Sequence, residues 1–356
     1  MPNHESTRTT KLYGRRQDGI SLDNVERITL YKSMLWKKAA RVVLHEMGGL
    51  AVLRVRHRRE FGVVMFHSFS ERDQANVEAI CAHIARHFEP VSLSAILDAL
   101  DGRKAFPNNA ITITVDDGYR NFFLYGHSIF RRNRIPATLY AVAGFSGGQM
   151  WLWPDQIEFG LRHTPHSSIR APLGDGEPLE LTLRTPEEKA DSIFRLTETL
   201  KEVSNDRRLT FLGEFGSLCG VDIPPHPPRG YEAMNWDELR AVASDGVEIG
   251  CHTETHPILS RLSNRLELET EIRGAREHMK EHLGFDVRHF CYPNGRAMDV
   301  GEAAIRCVRE AGFASAVSCT WGLNTMAADR FQIRRIPFDS KVDLHYGKEL
   351  LAGLHM

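Results

Sequence analysis

Little in this sequence invites a disulfide framework. Its six cysteines, Cys81, Cys219, Cys251, Cys291, Cys307 and Cys319, are scattered with no C-x-x-C pair. That excludes a zinc ribbon and a dense disulfide scaffold, and it fits a reducing compartment. No run of about 18 apolar residues occurs, so no membrane-spanning helix is predicted. The first thirty residues lack an unbroken apolar stretch of signal-peptide type, and the expectation is a cytoplasmic protein. Charge of one sign is equally scarce: 45 Lys plus Arg face 46 Asp plus Glu, a net charge of -1. Such a balance speaks against a chain built to coat nucleic acid. A Walker-type phosphate loop and a dinucleotide fingerprint after a strand are both missing, and with them any support for nucleotide-dependent chemistry. There is no internal repeat and no low-complexity tract.

What is present is enough for a sizeable core: 356 residues, 42% of them hydrophobic, which allows one large α/β domain or two smaller ones. The charge is unevenly spread. Residues 1–60 hold 13 Lys/Arg and 6 Asp/Glu, and residues 61–356 hold 32 and 40. Residues 1–24 are polar and unpatterned and are expected to be disordered. From Val25 to Met47, apolar Ile28, Tyr31, Leu35, Ala39, Val42 and Val43 recur at three- and four-residue steps beside Lys32, Lys37, Lys38 and Arg41, the pattern of an amphipathic basic helix. It either packs on the main domain or rests on an anionic membrane surface from the cytoplasmic side.

Beyond Arg59, short β-rich runs alternate with helical stretches: Gly62–Phe66, Ala110–Val115, Ala137–Val142, Val247–Gly250, His289–Tyr292 and Ala314–Ser318. Alternation of this kind predicts an α/β protein with a parallel sheet or barrel. Thr185-Pro-Glu-Glu188 and Asn235-Trp-Asp-Glu238 carry helix-start signals, and Ser263 is expected to cap a third helix ending before Gly284. Residues 144–234 hold helix signals and Gly/Pro-rich stretches but no core strand, and read as a long insertion. The expected organisation is a basic tail and helix over 1–60, a barrel over 61–340 with that insertion, and a tail over 341–356.

Chemistry concentrates after two of the strands. Asp116-Asp117-Gly118-Tyr119 follows AITITV, at the carboxyl end where α/β barrels place catalytic groups. His252-Thr-Glu-Thr-His256-Pro257 follows the strand at 247–250, and two imidazoles at that spacing can converge on one ion. One aspartate and two histidines give a divalent metal three ligands and leave positions open, as in a catalytic zinc site. The other carboxylate is then available as a base for an activated water. Either group alone also fits a solvated turn or a pair of structural histidines.

Thr114-Val-Asp-Asp-Gly-Tyr119, His252-Thr-Glu-Thr-His256 and Phe290-Cys-Tyr-Pro-Asn-Gly295 resemble, in order, the first three motifs of the NodB-type polysaccharide deacetylases, carbohydrate esterase family four. The likeness runs roughly from Phe61 to Pro337. It implies a distorted, incomplete (β/α) barrel, here with a helical insertion and an N-terminal amphipathic helix, and metal-dependent removal of N-acetyl groups from amino sugars. Zinc is the expected ion, with cobalt or nickel as alternatives. By the same resemblance Asp116 is the general base, Asp117, His252 and His256 are metal ligands, and the backbone N–H of Asn294 stabilises the oxyanion.

Two departures stand out. Family members often carry an arginine in the third motif that orients the base; Cys291 occupies that position here, and Arg296, Arg334 and Arg335 are the substitutes within reach. The usual C-terminal Leu-x-His, source of the general acid, is not evident. Met65-Phe66-His67 imitates it on the strand ahead of the first motif, which resembles the circularly permuted poly-N-acetylglucosamine deacetylases and makes His67 the candidate acid. In a closed barrel first and last strands are neighbours, so the permutation costs nothing. Trp151 and Trp153, at the start of the insertion, offer either a platform for a sugar ring or core packing.

The function expected is an N-deacetylase, a hydrolase of linear amides, acting on a saccharide, glycolipid or exopolysaccharide precursor. An O-acetyl esterase and an inactive saccharide-binding protein are the alternatives. A non-haem iron oxygenase would share two histidines and a carboxylate but has no use for Asp116.

Overall fold

The computed structural model describes residues 44–148, 150–174 and 176–354. The chain divides into residues 1–50 and 51–356. Of the first unit only residues 44–50 are described, so the basic helix expected over Val25–Met47 and the disorder expected over 1–24 lie almost wholly outside the described residues.

In the second unit the strands are β1 (Phe61–Phe66), β2 (Glu89–Pro90), β3 (Ala110–Val115), β4 (Ala137–Ala141), β5 (Ser168–Ala171), β6 (Leu179–Thr182), β7 (Glu248–Cys251), β8 (His289–Cys291), β9 (Ser315–Trp321) and β10 (Ile333–Pro337). Seven of them form a parallel sheet in the order β1-β10-β9-β8-β7-β4-β3, and β3 pairs back onto β1 from Phe61↔Ala110 to Phe66↔Val115, which closes a barrel. Two-residue β2 lies beside the start of β3. The barrel is thus short of the usual eight strands yet has no open edge.

Strand residues alternate between two apolar layers. Phe61, Val63, Ala110, Tyr140, Cys291, Val317 and Ile333 cluster in the lumen, and Val64, Phe66, Ile111, Ile113, Leu139, Phe290 and Ile336 pack outward against the helices. Burial on both faces explains why GVVMF and AITITV read as continuous apolar runs. The lumen is full. Gly250 on β7 has no Cβ because one would stand 2.4 Å from the Tyr140 ring.

The helix signals act as their chemistry dictates. Thr185 accepts from Glu188 N with Pro186 at the first helical position, and Asn235 with Glu238 forms a complete capping box. The third helix is capped by Asn264, one residue after the expected Ser263, and its run ends at left-handed Gly284. Between β4 and β7, helices Trp153–His163, Pro186–Glu202 and Asn205–Cys219 and the antiparallel β5–β6 hairpin share a core of their own. Gly160 allows this close approach, since a Cβ there would meet Phe215 at 2.5 Å. The last residues described include helix Leu344–Leu351, with Leu350 and Leu351 buried. Strand β10 has no counterpart among the runs predicted from the sequence. Its Ile-Arg-Arg-Ile-Pro pattern breaks the apolar run, because Arg335 points into the barrel.

Among the described residues no helix is long and apolar enough to cross a membrane.

Candidate active site

At the carboxyl end of β3 the ladder runs one step past the strand, Asp116 N donating to Phe66 O at 2.8 Å. The chain then folds into a three-residue turn. Gly118 N donates to Asp116 O at 2.9 Å, and Asp117 at its centre adopts φ +72°. Neighbouring side chains on a regular strand face opposite ways, and this turn is what lets Asp116 and Asp117 face one centre. The third motif repeats the device: Gly295 N donates to Pro293 O at 2.6 Å, with Asn294 at φ +58°. Thr253 and His256 also have positive φ, so four of the six described non-glycine residues in that region belong to these motif loops. Backbone strain of this sort persists only where the surroundings enforce it, and it concentrates at functional sites.

His252 leaves β7 with its Nδ1 2.8 Å from Cys291 O. A carbonyl only accepts, so Nδ1 carries a proton and Nε2 is the ring nitrogen turned toward Asp117. That Nε2 lies 3.3 Å from Asp117 Oδ1, and His256 Nε2 lies 3.4 Å from the same oxygen. Bonds of about 2.0–2.1 Å at tetrahedral angles separate zinc ligands by about 3.3–3.4 Å. The two edges that meet at Asp117 therefore have the spacing such an ion requires, and all three atoms lie within 4.8 Å of one another. Burial opposes charge on Asp117, but the two histidines outweigh it and its carboxyl sits well below the usual range. Burial also pushes the His256 imidazole down to about 3. An anionic Asp117 and a neutral His256 are the protonation states in which those groups bind a metal.

The loop between the histidines is clamped from two sides. Buried Glu271 accepts from Glu254 N (3.0 Å), Thr255 N (2.9 Å) and Thr255 Oγ1 (2.5 Å). It sits on the widened helical turn Thr270–Gly274, a type of bulge frequent at functional sites. From the insertion, Trp153 Nε1 donates to His256 O at 3.2 Å.

Asp116 is buried beside Arg335, which arrives from β10 and is itself 0% exposed. Arg335 Nη1 lies 2.7 Å from Asp116 Oδ1, Nε donates to Ser318 O at 2.8 Å, and Nη2 reaches Cys291 Sγ at 3.3 Å. Burial would raise the Asp116 pKa, but the guanidinium beside it holds the carboxyl below its ordinary value. Of the three arginines within reach by sequence, this is the one beside Asp116. Arg296 instead pairs with Asp299, Glu198 and Glu202, and Arg334 is exposed. Asp116, His252 and Cys291 are also near enough to share an ion, but there Arg335 already supplies the positive charge.

His67, just past β1, is half exposed, with Nε2 3.8 Å from Asp116 Oδ2. The two tryptophans do not make a sugar platform. Trp151 and Trp153 are 2% and 3% exposed, the first packed against Phe159 and Tyr231, the second under the Arg208 guanidinium at 5.1 Å. The sequence reading did not single out Glu271 or the contact of Trp153 with His256; neither has a local signal. Nor did it find Asp155, which accepts a 2.7 Å hydrogen bond from the Tyr119 hydroxyl and whose pKa is pushed up to about 8 by burial.

The fold is a closed (β/α) barrel like that of the NodB-type polysaccharide deacetylases. A sequence model of that family, described as polysaccharide deacetylase, matches residues 227–316, the stretch holding the second and third motifs. No curated protein matches the chain in sequence. Among solved structures the fold is similar to Streptococcus pyogenes deacetylase PplD in complex with acetate, at 12% identity and TM-score 0.51 over 84% of this chain and 100% of that one. It is similar to a de-N-acetylase from Aggregatibacter actinomycetemcomitans at 15% identity and TM-score 0.51, over 82% and 99%. IcaB from Ammonifex degensii follows at 14% identity and TM-score 0.50, over 83% and 96%.

Proposed function

We propose that this chain is a divalent-metal-dependent hydrolase that removes acetyl groups from N-acetylated amino sugars of a saccharide. The carrying observation is the Asp117–His252–His256 triangle, 3.3 and 3.4 Å on its two measured edges, beside a buried Asp116 that Arg335 keeps ionised. An ion held by those three residues would polarise the acetyl carbonyl and acidify a water. Asp116 is placed to take the water proton. The Asn294 N–H, in its strained turn, donates to the oxygen that becomes negative as the carbonyl is attacked. His67 then delivers a proton to the departing amine, and its exposure leaves it open to a bound sugar. Arg335 removes the motive for an inactive binding protein, because the cation missing from the third motif is supplied from β10.

The test is acetate release from panels of N-acetylated and O-acetylated saccharides, before and after chelation and after return of zinc, cobalt or nickel. Release from N-acetyl substrates that chelation abolishes supports the reading. Release from O-acetyl substrates alone makes the chain an esterase, and release indifferent to chelation sinks the metal assignment.

A further inference from the structure

At the pole of the barrel opposite Asp117, three elements assemble a basic face. Helix Gly49–Arg56 runs into the amino end of β1, helix Gln74–His87 ends where β2 begins, and helix Leu344–Leu351 packs against the latter. The first carries Arg54 and Arg56 and is followed by Arg58 and Arg59; the others add Arg86 and Lys348. Among the described residues none of these six pairs with a carboxylate, unlike Arg103 with Asp98, Arg132 with Glu78 and Arg265 with Glu269, although Arg134, Arg288 and Arg306 are likewise without one. Their proximity is visible on two histidines whose rings lie 4.6 Å apart, His83 and His87. Burial lowers both pKa values, and Arg54, Arg86 and Lys348 lower them further. On the same helix, on the side of Arg56, Val52 and Val55, one helical turn apart, are 70% and 63% exposed.

We propose that this face docks on an anionic lipid surface, the cations contacting headgroups and Val52 and Val55 entering the interface. Unpaired cations around exposed aliphatic side chains match the chemistry of such a surface. Val52 and Val55 offer no hydrogen bond to a base edge and no ring for stacking, which disfavours nucleic acid. The sequence of residues 1–43, with 9 Lys/Arg against 4 Asp/Glu, has the same sign. Docking at this pole turns the carboxyl ends of the strands, and with them Asp117, His252 and His256, away from the lipid. The saccharide would then be met on the solvent side, as a polymer or a long glycan and not as a headgroup of the same leaflet. The docking itself does not depend on the deacetylase reading.

The experiment is co-sedimentation of the full chain with vesicles of phosphatidylglycerol mixed with phosphatidylcholine, against phosphatidylcholine alone, at low and high salt. The full chain should bind only the anionic vesicles and release at high salt. Reversing three charges, R54E/R86E/K348E, should weaken binding about a hundredfold, and V52S/V55S about tenfold. Both variants should keep the circular dichroism and acetate release of the parent, which separates this test from the catalytic one. Binding unchanged in both variants, equal binding to neutral vesicles, or none at low salt overturns the proposal. So does tight binding of a DNA duplex that the charge variant loses, with V52S/V55S indifferent, because the face would then serve polyanions in general.

Discussion

Arg335 and Asp116 stand 219 residues apart in the chain and 2.7 Å apart in the barrel lumen, the guanidinium wholly buried. Neither charge has water to turn to. Cys291 fills the place where relatives of this fold often carry the base-orienting arginine, and its Sγ lies against both partners, 3.4 Å from Asp116 Oδ2 and 3.3 Å from Arg335 Nη2.

Removing one charge strands the other. R335M and D116N should each lose about 3–5 kcal/mol of stability, while R335M/D116N should be more stable than the sum of the single losses implies. Denaturant unfolding of the three variants measures this coupling, and strict additivity contradicts the pairing.

His67 faces Asp116 from the neighbouring strand end at 3.8 Å. H67A should keep metal content and fold while kcat drops by roughly 10²–10⁴-fold. Parent-like turnover would remove His67 from the proton path.

Glu271 holds the histidine loop and touches neither a ligand atom nor substrate, so it is a positioning residue. E271Q should lower zinc affinity by about 10–100-fold, measured by competition with a chromophoric chelator, and E271D should recover part of it. A variant that only loses melting temperature, with zinc affinity intact, assigns Glu271 a purely structural part.

His83 supplies a pH signature. Its folded pKa is lowered to about 4, below the roughly 6.5 of an unfolded chain, so between those values the unfolded state binds the extra proton. Stability therefore falls as pH drops from about 6.5 toward 4, by up to about 3 kcal/mol from this group. H83Q should flatten that part of the curve, and identical pH profiles for the two proteins would refute the assignment.

Most barrel strands, the barrel class and the two loops that carry Asp117, His252 and His256 were legible in the sequence because each is written in a short stretch. AITITV alternates between two buried layers, and Pro257 keeps His256 out of a helix. The motif positions Asp116, Asp117, His252, His256 and Asn294 follow strand ends for the same local reason. What tertiary structure alone decided is everything that pairs distant segments. Strand β10 reads as polar until the barrel shows that one of its arginines points inward, and only closure of β3 on β1 brings His67 to Asp116. Glu271 is one more helical glutamate until a bulged turn sets it under the His252–His256 loop. Trp151 and Trp153 fit either a sugar platform or core packing by sequence, and the fold decides for packing. Sequence periodicity records which face of an element is buried. It does not record which element lies against that face, and at this site that second fact selects Arg335 from three arginines and gives Trp153 its contact with His256.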